Sequence, residues 1–438
     1  MLHDPARHEP LRPLPWDEGE VRAAITHIVL DTEARFTEAG YWPLHPLDAE
    51  GDEAPGQIET PLYHGACGVF WALHHLQDVG AVTLSRSYFT ELDRLLARNR
   101  AWLGASVDRE RASFMMGDTP IQLMAFGAAP TEALEKSLDA LIAGNLDHPA
   151  RELMWGAPGT LLAALFLHEQ TGEPRWAELF RLTAEKLWTQ LEWSPTHQCS
   201  YWTQDLYGRR STYLDAVHGF VATASPLIRG RHLLGVEAWS AWERCIVTTV
   251  QRTADRIGAQ ASWRPQLDSA TEARKKLLQL CHGAPGFVVC LAELPTTDLD
   301  DLLVAAGEAT WAAGPLSKGS NLCHGTGGNG YAFLKLHQRT RDPLWLARAR
   351  AFAMHGIAQT QDHAARYGQS RYSLWTGDPG FAVYLWGCLR AEARFPTLDF
   401  FRVGPRVDAL LRSVPRPEDH LHLGLGVEPL DVRRVVTP

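Results

Sequence analysis

One phrase returns seven times along this chain: a glycine turn of the form G-x-x-(small or Pro), followed at once by an apolar run. The copies are HGACGVFWAL from His64, GDTPIQLMAF from Gly117, GAPGTLLAALFL from Gly156, HGFVATASPLI from His218, CHGAPGFVVCLAEL from Cys281, CHGTGGNGYAFLKL from Cys323 and GDPGFAVYLWGCL from Gly377. Two are imperfect, with Pro120 and Ala222 where the others carry a second glycine. The apolar runs are hydrophobic nearly all round, as in a helix buried between neighbours. Between them lie segments with helical period and charges on one side, at Ser85–Ser106, Thr131–Asn145, Pro174–Trp193, Val236–Ile257 and Asp342–Gln361. Two classes of helix therefore alternate. Self-similarity with about 40–65 residues per unit predicts a closed or stacked helical array and not independent domains. Seven inner helices inside seven outer ones make an all-α fold, an α/α toroid.

Such a ring gives the glycines a purpose, because a residue without Cβ lets helix starts converge. The turns then gather at one mouth, where residues far apart in sequence face a common cavity. The same pattern would also serve an α-solenoid scaffold whose glycines only cap helices. Residues 1–60, rich in proline and acidic groups, are expected to form an N-terminal arm or extension, and residues 61–438 the toroid as a single domain.

Length alone leaves the domain count of a 438-residue chain open. A hydrophobic share of 45% with 21% charged residues supplies a packed core. The formal charge of −9 argues against nucleic acid or an anionic membrane as the main partner. The first residues lack the apolar stretch of a secretory signal. Runs such as Ala157–Leu167 are too short to span a bilayer. Seven scattered cysteines do not form a disulfide framework and suit a reducing compartment, so the protein is expected in the cytoplasm.

Two phrases stand apart because each begins Cys-His-Gly, at Cys281-His282-Gly283 and Cys323-His324-Gly325. Thiolate and imidazole are preferred ligands of zinc, and a sparse arrangement without tight CxxC pairs suits an open, catalytic position. A buried cysteine taken singly is usually a small hydrophobe, which is the reading for Cys67, Cys199, Cys245, Cys290 and Cys388.

With these motifs the chain resembles the LanC-like family, lanthionine synthetase C (the lantibiotic cyclases) and its free-standing LanC-like relatives. The resemblance runs over all seven phrases, from about Tyr63 to Leu389, and is sharpest at LCHGAPG (Leu280–Gly286) and LCHGTGGNG (Leu322–Gly330). It implies an α/α toroid with zinc at its mouth, held by Cys281, Cys323 and His324, the fourth position taking water or a substrate thiol. It also implies addition of a thiol across the double bond of dehydroalanine or dehydrobutyrine to form a thioether. His218, in YLDAVHG, matches the family histidine to which an acid/base role is ascribed, and its neutral-range pKa suits that role. Glu152 aligns with an acidic position of the cyclases; a carboxylate there could orient a histidine, receive a proton or favour a helix start.

His282 departs from the tyrosine common in lantibiotic cyclases and is similar to the free-standing branch, as is YLDAVHG. That branch is thought to add glutathione to dehydrated residues after eliminating phosphate from phosphoserine or phosphothreonine. The implied partners are a dehydrated or phosphorylated peptide and glutathione. Arg209 and Arg210, in the polar segment before His218, are expected with His282 to bind substrate, their guanidinium groups suiting an anion; the plain alternative for the arginines is a solvated loop. His64 is expected to satisfy a turn. No dehydratase or kinase-like segment is apparent, so dehydrated substrate is expected from elsewhere. Two rivals remain: an α/α-barrel glycosidase, to which sixteen tryptophans would lend stacking surfaces, and a zinc-containing binding scaffold without catalysis.

Overall fold

The computed structural model describes residues 1–48, 58–104, 110–268 and 276–401; the rest of the expected 61–438 domain, and the last two positions of the Ser85–Ser106 segment, lie outside the described residues. Within that span the chain is a ring of α-helices in two layers. The inner layer is α2 (Ala66–Asp78), α4 (Thr119–Ala128), α6 (Ala157–Thr171), α8 (Phe220–Arg229), α10 (Ala284–Leu291), α12 (Thr326–Thr340) and α14 (Asp378–Arg390). The outer layer is α1 (Glu18–Arg35), α3 (Leu92–Leu103), α5 (Glu132–Gly144), α7 (Pro174–Thr189), α9 (Val236–Thr253), α11 (Asp300–Ala313) and α13 (Pro343–Tyr367). Each inner helix packs on the next, and α14 packs on α2, which closes the circle. The α/α toroid expected from the repeats is what forms.

Burial follows the two classes. Every residue of α10 is buried, as is Thr326–Leu336 of α12. The outer α7 buries one stripe, Trp176, Leu179, Phe180, Thr183 and Leu187, at the 3–4-residue spacing of an amphipathic helix. The outer partner of α14 comes from the first residues of the chain: α1 packs along it through Val21, Ile25, Ile28 and Val29. Two expected helical segments end early. After α7 the chain turns into a hairpin of β1 (Glu192–Ser194) and β2 (Cys199–Tyr201), and after α9 into β5 (Ala254–Ile257) and β6 (Gln260–Trp263). A third hairpin, β3 (Gln204–Leu206) with β4 (Arg209–Ser211), precedes α8.

In the five phrases that carry it, the second glycine lets the turn fold back on itself. A Cβ on Gly328 would lie 1.8 Å from the Leu322 carbonyl oxygen, and one on Gly380 1.7 Å from that of Leu374. With the turns this tight, main-chain groups two residues before each first glycine join in a belt. Cys281 N–H donates to the Cys323 carbonyl (3.0 Å), Cys323 to Trp375 (2.8 Å), Trp375 to Tyr63 (3.1 Å), Tyr63 to Met115 (3.2 Å) and Met115 to Met154 (3.4 Å). Leu153 N–H carries it on to Val217 (3.3 Å). These bonds satisfy buried backbone groups at the helix starts, which would otherwise be left unpaired. They also hold Cys281 and Cys323 side by side.

Candidate active site at the mouth of the ring

Side chains four residues before the first glycines cap the turns. The Glu152 carboxylate accepts from the backbone N–H of Met154 (2.9 Å) and Trp155 (2.6 Å). Asp215 accepts from Val217 (3.0 Å) and His218 (2.8 Å), and Asn321 from His324 (3.0 Å). Short polar side chains close turns in this way. The residues immediately before those glycines include His64, Trp155, His218, His282 and His324.

A carboxylate from one turn reaches the imidazole of the next. Glu152 Oε2 lies 2.9 Å from His218 Nδ1, and Asp215 Oδ2 lies 2.7 Å from His282 Nδ1, both carboxylates fully buried. Burial alone would pull the two imidazoles down, but Glu152 for His218 and Asp215 for His282 outweigh it, and each is raised to about 9. Burial likewise opposes ionisation of Asp215, yet the facing histidines hold its carboxyl below the usual range. At the third step the residue in the carboxylate position is Gln279. His324 is pulled down to about 3 by burial and by the positive charges of Arg371 and Lys318. Three histidines in equivalent places thus differ in charge: buried carboxylates favour the charged ring at His218 and His282, and burial leaves His324 neutral.

The two thiols of Cys281 and Cys323 are within hydrogen-bonding reach of each other. The Tyr63 hydroxyl donates to Cys323 Sγ (2.8 Å), and Gln279 Nε2 to Cys281 Sγ (2.9 Å). The hydrogen bond between the sulfurs favours a thiolate at Cys323 and the proton on Cys281; burial works against Cys323 and the Tyr63 hydroxyl helps it. Among the described residues no three His, Cys, Asp or Glu side chains stand grouped as a metal cluster. The donor chemistry nevertheless fits zinc: two neighbouring thiols, a neutral imidazole at His324, the residue after Cys323 in the chain, and an amide and a phenol hydrogen-bonded to the sulfurs.

The structure therefore brings Glu152, His218, His282, Cys281 and Cys323 to one mouth, with His324 next in the chain. Arg209 and Arg210 are exposed on β4, where Arg210 pairs in register with Asp205 of β3. His64 Nδ1 sits 3.1 Å from Glu59 Oε2. Sequence reasoning missed Asp215, Tyr63 and Gln279. Asp215 had a signal, since it holds the same position before Gly219 that Glu152 holds before Gly156.

The family pattern of lanthionine synthetase C-like proteins matches residues 56–400. The chain belongs to this family. Glutathione S-transferase LANCL1 of Danio rerio is 37% identical over 134 residues, 29% of this chain and 33% of that protein. LanC-like protein GCL1 of Arabidopsis thaliana is 34% identical over 133 residues, 28% of this chain and 30% of that one. These alignments span 33% and 30% of the relatives' lengths, under half of either. The solved structure of nisin cyclase superposes with a TM-score of 0.60 over 89% of this chain and 100% of the cyclase at 15% identity, a likeness of fold. Among the described residues no helix is long and apolar enough to cross a membrane.

Proposed function

We propose that this chain is a zinc-dependent enzyme that forms thioethers, adding the thiol of a peptide cysteine or of glutathione to dehydroalanine or dehydrobutyrine, and that it first eliminates phosphate where the acceptor is phosphoserine or phosphothreonine. The observation that carries this reading is the meeting of two thiols, Cys281 and Cys323, with two carboxylate-anchored imidazoles, His218 and His282. The names of the relatives agree with it: one is a glutathione S-transferase and the structural neighbour is a cyclase.

Cys281, Cys323 and His324 would hold the metal. Zinc bound there would supply Lewis acidity, which makes a substrate thiol a nucleophile at neutral pH. Sulfur attack at Cβ moves the π electrons of the dehydroamino acid onto its carbonyl, and the resulting enolate takes a proton at Cα. His218 is the donor: Glu152 occupies Nδ1 and keeps the ring charged, which leaves the proton on Nε2 for transfer. Asp215 does the same for His282, giving the mouth a second cation to hold an anionic partner. In phosphate elimination the Cα proton leaves to a base and the phosphate departs with the Cβ–O bonding pair; Arg209 and Arg210 would bind that phosphate or the glutathione carboxylates. All seven cysteines are free thiols, a state that a reducing compartment such as the cytoplasm maintains.

The test is mass spectrometry of dehydroalanine and dehydrobutyrine peptides incubated with the protein, with and without glutathione. A thioether product is expected. Unchanged peptides in the presence of stoichiometric zinc would overturn the reading and leave a binding scaffold.

A further inference from the structure

The rim of the ring carries a cavity that thiol addition does not require. Its walls come from the end of α3, from the segments leading into the second and third phrases and from the β3–β4 hairpin, whereas Cys281 and Cys323 belong to the fifth and sixth phrases. The cavity holds about 520 Å³, inside the range of roughly 300–1,000 Å³ usual for small-ligand sites. Three aromatic rings line it, Trp102, Trp155 and Tyr207, together with two carboxylates, Glu110 and Asp205.

The hairpin positions the outer wall. Tyr207 and Gly208 both have left-handed backbone, φ 53° and 71°, as a two-residue primed turn needs. The turn brings the Tyr207 hydroxyl 3.0 Å from Trp155 Nε1, which donates to it, with the rings perpendicular at 6.4 Å. Trp155 in turn gives its backbone N–H to Glu152, the carboxylate that anchors His218. The cavity thus opens one residue away from the proton-donating pair.

We propose that this cavity binds a cationic side chain of the acceptor peptide, an arginine or lysine close in sequence to the residue that reacts. The proposal rests on the thioether reading only for the identity of the occupant as acceptor. Aromatic faces attract a cation within about 6 Å of the ring, and the carboxylates supply the countercharge. Arg210 stands opposite Asp205 in the β3–β4 ladder, and among the described residues lining the cavity the carboxylates are Glu110 and Asp205, with His148 as the titratable base and no lysine or arginine. An acidic side chain would meet like charge there, and a neutral one would gain only contact area.

Two matched peptides test this on the full-length, zinc-loaded protein, each with one dehydroalanine, one with arginine two residues away and one with its uncharged isostere citrulline. The arginine peptide should show a KM roughly tenfold lower at unchanged kcat. Glu110→Gln should remove most of that preference, and Glu110→Lys should reverse it in favour of a glutamate peptide. Calorimetry with the same pair carrying alanine in place of dehydroalanine reads the cavity without turnover. Selective binding of the arginine form with no thioether product would retain the cation site and sink the thioether reading. Equal affinity for arginine and citrulline forms would overturn the cation site, whatever the enzyme's activity.

Discussion

The His218 imidazole and the Glu152 carboxylate lie 2.9 Å apart although 66 positions separate them in the chain. Glu152 is fully buried and spends its remaining lone pairs on the backbone of Met154 and Trp155, so the pair is fixed by the turn itself. Removing the proton carrier should cost roughly 10²–10⁴-fold in rate. His218→Ala is expected to lose that much while keeping its fold and its zinc; a variant with full rate would return the histidine to a structural role.

Metal content separates the cysteines by position. About one zinc per chain is expected from two thiolates and one imidazole. Cys281→Ala and Cys323→Ala should each lose most of it, while Cys290→Ala, buried within α10, should keep it. Elemental analysis showing full zinc in both ligand variants would remove Cys281, Cys323 and His324 from the assignment.

Asp378 makes stability depend on pH. Burial pushes its carboxyl up to about 6, against the N–H of Arg371 that donates to it at 3.0 Å. The folded state therefore binds this proton more tightly than the unfolded chain, whose carboxyl titrates near 4. Its contribution is complete below about pH 4, is lost as pH rises through about 6, and is flat above that, a change on the order of 3 kcal/mol. Urea unfolding at several pH values should show Asp378→Asn gaining on the native protein between pH 4 and 7. Parallel curves for the two proteins would mean that this carboxyl does not carry the dependence.

Replacing Arg209 and Arg210 together with glutamine should weaken binding of the anionic partner and reduce its sensitivity to salt, leaving zinc unchanged. Both side chains are exposed on β4, so the double variant should fold normally. Unaltered affinity for glutathione and for phosphopeptide would make them ordinary surface residues.

Lys335 is a fully buried cation held at 2.7 Å by both Glu293 and Asp399. Cutting it back to alanine leaves Asp399 buried without its partner, a change of about 3–5 kcal/mol. Chemical unfolding of Lys335→Ala should read that loss, with zinc still bound in the folded fraction; a loss under about 1 kcal/mol would show that water reaches the site.

Much of the ring was legible because its two helix classes differ in burial, and burial writes itself into the hydrophobic period. The tails of Pro174–Trp193 and Val236–Ile257 continue that period, yet tertiary contacts turn them into strands, with Gly258 taking φ 58° at one hairpin tip. In α1 the spacing of Val21, Ile25 and Ile28 marks a helix, but only closure of the ring decides that it packs on α14. The site was legible where the motif is local, as in the two Cys-His-Gly phrases. Asp215 was hidden because its partner is a histidine in the next phrase, and Tyr63 because its hydroxyl reaches a sulfur 260 positions away.

Because main-chain groups tie turn to turn, the bore of this opening is set by the number of helix pairs and not by what its side chains happen to be. Substitution can repaint the lining but cannot widen the aperture; only the gain or loss of a whole pair changes the gauge, and it does so in discrete steps. Among the described residues, the step from the fourth turn to the fifth is bridged instead by Asp215 and His282. Any stretching of the rim by an oversized guest would therefore be felt first by a side-chain contact at the seat of the chemistry, so that a poorly fitting guest disturbs the reaction before it disturbs the fold.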